Sequence, residues 1–326
     1  MMRLTSRVTL LASLLACGLV HAAERQTSYP ERPVRVIVPA DAGSATGNLA
    51  RVLATGLTDV LGKQFVIDNR PGASGLIGLE LTARAAGDGY TLLSTGPGIQ
   101  VVTPQLQKEL SFDPFRDFLP IALYAASSNV LSVHPSVPAK SVKEFIGLAK
   151  AAPGALRFSS AGTGTQGHLA GTQLIVLTGI DVLHVPYKSG GASTTAVIAN
   201  EAQFSMSPLP NVFPHVKAGR LRALGVGGVE RSAKLPDVPT IAEAGVPGYR
   251  STGWAGLLSP RGLPPALVNR LNAAVREAMN RADVRERVEA LGAEVVTGTP
   301  TEFADLIRSD WDSYGKAIRA ANIRLD

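Results

Sequence analysis

Short apolar runs recur along this chain, each closed by a turn of small residues and followed by a stretch of helical periodicity. Val34 to Pro39 leads through PADAGSATG into an amphipathic helix over Thr46 to Leu61, which Gly62 stops. Gln64 to Asp68 leads through PGASG into a helix over Gly75 to Ala85, and Thr91 to Thr95 is the next run. This alternation specifies an α/β protein, with right-handed crossovers between parallel strands. A second series begins at Val130 to His134 and a helix over Ser141 to Ala151, where Ser141 and Glu144 have the spacing of a capping box. Strands at Leu156 to Ser160, Val182 to Val185, Phe204 to Met206 and Leu221 to Val226 alternate with helices at Thr165 to Thr178, Ala192 to Ala199 and Val212 to Ala218.

After the Pro- and Gly-rich stretch from Leu235 to Tyr249 come a strand at Gly253 to Leu258 and helices at Pro264 to Met279, Asp283 to Leu291 and Thr301 to Ala321. These helices need a sheet face to cover, and the first series has few helices of its own. The chain is therefore expected to cross back, giving one lobe from residues 23–126 and 250–326 and a second from 127–249. Roughly 300 residues also exceed what one hydrophobic core usually serves. In such sheets a ligand sits beyond the carboxyl ends of the strands, here between the lobes.

The start of the chain has a different character. Met1, Met2, Arg3 and Arg7 precede an apolar run from Val8 to Val20 and small residues at Ala22 and Ala23. That order reads as a secretory signal over residues 1–22 and implies a periplasmic protein; a rival reading makes Leu14 to Cys17 a lipoprotein cleavage box. Cys17 is the one cysteine of the sequence, so cleavage after Ala22 leaves no thiol for a disulfide or a metal. No later run reaches the roughly 18 apolar residues of a membrane helix.

Losing Arg3 and Arg7 takes 32 Lys and Arg to 30, against 26 Asp and Glu, a formal charge of +4. Those bases are scattered singly and aromatics are 5% of residues, which argues against nucleic acid as a partner. His134, His168, His184 and His215 show no metal-ligand spacing, so neither a metal nor a cofactor is expected. Gly162, Gly164 and Gly167 match GxGxxG, but Asp181 precedes the following strand where a dinucleotide site needs an acid at its end. Neither Ser44 nor Ser74 lies in GxSxG, and no nucleophile has a recognisable base, which weighs against a hydrolase or transferase.

Four small-residue turns remain: Pro39 to Gly47, Pro71 to Gly75, Ser159 to Gly167 and Lys188 to Ser193. Free N–H groups at helix starts bind anions, and glycine lets them come close. Aimed at one cleft, these turns would trap a small carboxylate with no catalytic side chain. His168, near the start of a helix, is a candidate contact; Lys188 could face an anion or solvent.

The segments YPERPVRVIVP, DNRPGASGLIG, GDGYTLL, FDPFRDFLPIAL, HPSVPAKSVKEFIGLAKA, SSAGTGTQGHLAG, HVPYKSGG, GRLRALGV, LPDVPTIAEAGVPGY and VRERVEALGAEVV, in that order, resemble the Bug-type receptors of tripartite tricarboxylate transporters. The resemblance implies a periplasmic binding protein fold of type II, a monomer, and membrane transporter subunits as partners. A ligand-sensing component of a signalling system would share the same cleft. It also implies that Ala42, Gly43, Ser44 and Gly47 in one lobe, and Ser159, Gly162, Thr163 and Tyr187 in the other, grip a carboxylate. Ser74, Thr95, Thr165, His168 and Ser207 complete the candidate contacts. The chain departs from the pattern at Ala40, Ser44 and Gly47, where PF, a Gly pair and Asp are usual, and at Ser207, where an acid is usual. A roomier, less acidic site is expected, favouring a di- or tricarboxylate or an aromatic acid over a ligand with an amine.

Overall fold

A computed structural model describes residues 29–320. The signal segment, Cys17 and the end of the last expected helix lie outside the described residues.

The first series forms β1 (Val34–Val38), α1 (Ala45–Leu61), β2 (Phe65–Asn69), α2 (Leu76–Ala83) and β3 (Thr91–Thr95). β1 is central and parallel to both β2 and β3. Ser44 caps α1, and Gly62 ends it at φ 71°, a conformation open to glycine, with its N–H on the Thr58 carbonyl. Next come a π-turn at Gly98–Val102 and a short helix, α3 (Thr103–Leu106), which the sequence pattern does not announce. Pro97, Gly98 and Pro104 break any periodicity there.

β4 (Phe118–Val133) is 16 residues long, although the pattern shows only its last part. Pro120 and the polar run Ser127, Ser128, Asn129 hide the rest, and register shifts at Pro120/Ala122 and Leu123/Ala125 spoil its alternation. The second series adds α4 (Val142–Ala151), β5 (Arg157–Ser160), α5 (Gln166–Thr178), β6 (Leu183–Pro186), α6 (Gly190–Ile198), β7 (Phe204–Pro208), α7 (Leu209–Lys217) and β8 (Arg222–Val226). β9 (Thr252–Pro260), α8 (Pro265–Asn280), α9 (Ala282–Ala290) and α10 (Pro300–Ala320) follow.

The strands run in the order β2-β1-β3-β9-β4-β7-β5-β6, with β8 also paired to β4. β4 pairs with β9 over Phe118–Ser128 and with β7 over Asn129–Val133, so it passes from one lobe to the other. The chain returns from Tyr249, buried in the second lobe's core, into β9, which pairs with β3 and with the first-lobe part of β4. One core packs Val34, Leu53 and Leu57 against Leu271, Val275 and Val284 of α8 and α9. On the opposite face of that sheet, Ile37, Leu93 and Trp254 meet Phe303 and Ile307 of α10. The second lobe has its own core, where Phe204 lies between Phe145 and Phe158 at centroid distances of 4.8 and 5.1 Å.

Candidate ligand-binding cleft

The carboxyl ends of β1, β2 and β3 face those of β5, β6 and β7 across a cavity of about 760 Å³. All four small-residue turns contribute to its wall. Three of them enter capped helices. Ser44 Oγ accepts the Gly47 N–H (3.0 Å), Thr165 Oγ1 accepts that of His168 (3.5 Å), and Ser189 Oγ accepts that of Ala192 (3.2 Å). Each cap satisfies the third N–H of its helix, and the first two have no acceptor within a helix. Those pairs are Ala45 and Thr46 of α1, Gln166 and Gly167 of α5, and Gly190 and Gly191 of α6, and all six residues line the cavity. Three helix dipoles thus present their positive ends to one space.

The wall carries two ionisable side chains, Asp41 and Lys188, one on each lobe. Side-chain charge therefore cancels, and the anion-attracting character comes from main-chain amides. Asp41 also tempers the expectation of a less acidic site, because the first loop keeps one carboxylate. Its carbonyl accepts both the N–H (3.0 Å) and the hydroxyl (2.6 Å) of Ser44, which tightens the loop ahead of α1. In the second turn Gly72, Ala73, Ser74 and Gly75 all have positive φ, a conformation that costs Ala73 and Ser74 strain. The Thr103 hydroxyl holds this turn by donating to the Ser74 carbonyl (3.1 Å).

Of the candidates, Gly43, Ser44, Ser74, Gly162, Thr163, Thr165 and Ser207 lie on the wall. The others lie behind or beside it. The Ala42 carbonyl accepts from Arg51, and Gly47 is buried with its N–H on Ser44. Thr95 is buried at the end of β3, and its hydroxyl has no partner among the described residues. The Ser159 hydroxyl is buried and donates to the Ser193 carbonyl (3.1 Å). Tyr187 stands near Glu201, and burial followed by that acid raises the pKa of its phenol. His168 is buried behind the third turn, its Nδ1 accepting the Gly164 N–H (3.0 Å). Burial, and then His184, lower its pKa to about 4, so the ring is neutral.

Several wall residues escape the sequence reading. Gly96 and Pro97 lead into the unannounced π-turn, Gly98 and Ile99 belong to it, Thr103 starts α3, and Asn211 lies near the start of α7. Trp254 also lines the cavity, and its Nε1–H donates to Asp310 Oδ2 of α10 (2.8 Å). Gln166 Nε2 is buried with no partner among the described residues, close against Gly253 at the floor. Among the described residues no cluster of potential metal ligands occurs, and no helix is long and apolar enough to cross a membrane.

Residues 49–323 match the family described as "Tripartite tricarboxylate transporter family receptor". The chain is 31% identical to Protein BugT of Bordetella pertussis over 99% of its own length and 100% of that protein's. It is similar in structure to Rpa4515 of R. palustris, solved with adipate, at a TM-score of 0.85 and 33% identity, covering 91% of this chain and 99% of that one. Rhodopseudomonas palustris MatC, solved with bound malate, gives a TM-score of 0.80 at 31% identity, covering 89% and 100%. The chain therefore belongs to the tripartite tricarboxylate transporter receptor family, as a two-lobed binding protein of the type II periplasmic fold and not an enzyme.

Proposed function

We propose that this chain is a periplasmic receptor that captures a small, purely anionic di- or tricarboxylate between its lobes and presents it to the membrane subunits of a transporter. The supporting observation is the set of six wall amides at three capped helix starts, drawn from both sides of one cavity. A carboxylate has two acceptor oxygens and about four lone-pair sites, so a few of these amides suffice to satisfy one end of the ligand. A hydrogen bond to a charged group contributes roughly 1.5 to 3 kcal/mol. Four to six of them supply about 6 to 18 kcal/mol before the costs of ordering, a range that spans the roughly −8 kcal/mol of micromolar capture. Lys188 offers a cation for a second carboxylate. Rpa4515 and MatC, the similar proteins solved with adipate and malate, support an acid of this size. The expected maturation after Ala22 and the assignment of residues 127–249 to the second lobe belong to the same reading.

The test is calorimetric titration of residues 23–326 with adipate, malate, citrate, benzoate and aspartate, with thermal melts in parallel. At least one purely anionic acid is expected to bind with a dissociation constant of about 10 μM or below. At a hundredfold excess over that constant it should stabilise the fold by about 2.7 kcal/mol. Submicromolar aspartate binding would overturn the preference for purely anionic acids. Silence from all five at millimolar concentration would overturn the receptor reading.

A further inference from the structure

Behind the third turn of the cleft lie two histidines that do not themselves line the cavity. Their rings stack at a centroid distance of 4.1 Å and an angle of 23°. His168 Nδ1 accepts the Gly164 N–H, so its lone pair lies on Nδ1 and the ring proton on Nε2. His184 Nε2 lies 2.7 Å from Ser160 Oγ, and that hydroxyl oxygen accepts the Gly162 N–H (3.2 Å). Each ring thus ties one glycine amide of the turn inward, directly or through a serine. Both glycines need tying. Gly162 and Gly164 have φ of 125° and 76°, and glycine at such positions has many other conformations within reach.

From this arrangement we propose that His168 and His184 are positioning residues, which hold the Gly162–Gly164 turn so that the following amides, of Gln166 and Gly167, face the ligand. The inference rests on the receptor reading for its functional part and on the hydrogen bonds alone for its structural part. The tie runs through the acceptor lone pair. An imidazolium at position 168 would set a donor against the Gly164 N–H and a charge against the His184 ring. Burial opposes that charge, and His184 is the titratable group that faces it. Phe158 packs against His184 at a centroid distance of 5.2 Å.

The acceptor can be removed or moved without removing the side chain. His168→Leu keeps apolar bulk and deletes the acceptor, whereas His168→Asn places an amide oxygen close to where Nδ1 stands. Hydrogen exchange at the Gly164 amide, followed by NMR on residues 23–326, needs no ligand. Exchange there should rise by about tenfold or more in His168→Leu and return toward the wild-type rate in His168→Asn. Titration with adipate should show the same order, with about tenfold weaker binding in the leucine variant and recovery in the asparagine variant. The proposal is overturned if His168→Leu leaves Gly164 exchange unchanged, or if His168→Asn is as impaired as His168→Leu. Should wild type ignore adipate, the expected ligand is wrong while the exchange result still judges the turn. Should exchange change without affinity, the turn is held as described but does not serve binding.

Discussion

At His168 the folded chain holds an imidazole whose pKa lies near 4, against 6.5 for the free side chain. The folded state therefore resists protonation over a range in which the unfolded chain accepts it. The stability this group carries is complete above about pH 6.5 and is lost as pH falls toward 4, and 2.5 units correspond to about 3 kcal/mol. His184, also lowered by burial, acts in the same direction. Urea melts between pH 7 and 4 should show that decline, and His168→Asn should show a shallower one; parallel curves would mean that another group sets the slope. A glycine pair gives a second residue-scale contrast. A Cβ at Gly167 would stand 2.6 Å from the Met206 carbonyl, whereas one at Gly43 meets nothing within 4 Å. Gly167→Ala must move α5 off β7 and should cost about 1–3 kcal/mol in a urea melt, while Gly43→Ala should stay within about 0.5 kcal/mol of wild type. Turn residues such as these were legible because glycine beside a capping serine or threonine has a local meaning. Trp254 was not, since a tryptophan inside an apolar strand says nothing of the cavity until the neighbouring strands are known.

Elements followed their patterns wherever local signals agreed and escaped where tertiary contacts decide. Ser141 starts α4 as its spacing with Glu144 implies, Thr165 caps α5, and Gly62 and Gly179 end α1 and α5 in the left-handed conformation. α7 begins three residues earlier than its apolar periodicity, because Pro210 is tolerated in a first turn. The long first part of β4 was illegible, since its shifts of register are set by β9 rather than by its own residues. The seating of α10 on the sheet shows how narrow such tertiary tolerances are. The Phe303 ring packs edge-on to Trp254 at 5.1 Å and directly over Gly256, so that a Cβ there would run into it. Phe303 is 1% exposed and has nowhere to move. Gly256→Ala should therefore lift α10, cost about 1–3 kcal/mol of stability, and shift tryptophan emission as the Trp254–Asp310 bond loosens. An unchanged melt and spectrum would show that the helix is not seated by this contact.

For the whole molecule, β4 and the segment that enters β9 carry the chain between lobes, and motion about them is what a ligand held from both sides requires. That two crossings exist was legible from a surplus of late helices; the antiparallel insertion of β9 between β3 and β4 was not, because strand order is a long-range choice. Where the lobes meet on the cleft floor, a Cβ at Gly98 would lie 3.9 Å from the Gln166 Cβ. Disulfides span Cβ separations of about 3.5–4.5 Å, and residues 23–326 contain no other cysteine to compete. Gly98→Cys with Gln166→Cys should therefore oxidise readily to an internal bridge, visible as a mobility shift on a non-reducing gel. The contact lies beside β9, since Gln166 also abuts Gly253, and a contact beside the crossing segments is expected to act as a pivot rather than as part of the mouth. Rotation about a pivot swings the mouth through the largest arc and leaves the floor nearly still. Oxidised and reduced forms of this variant should then bind the same acid within about threefold, or about 0.7 kcal/mol. A much larger loss on oxidation, recovered with reductant, would show that the floor itself opens as the lobes move, and that the axis lies elsewhere in the molecule.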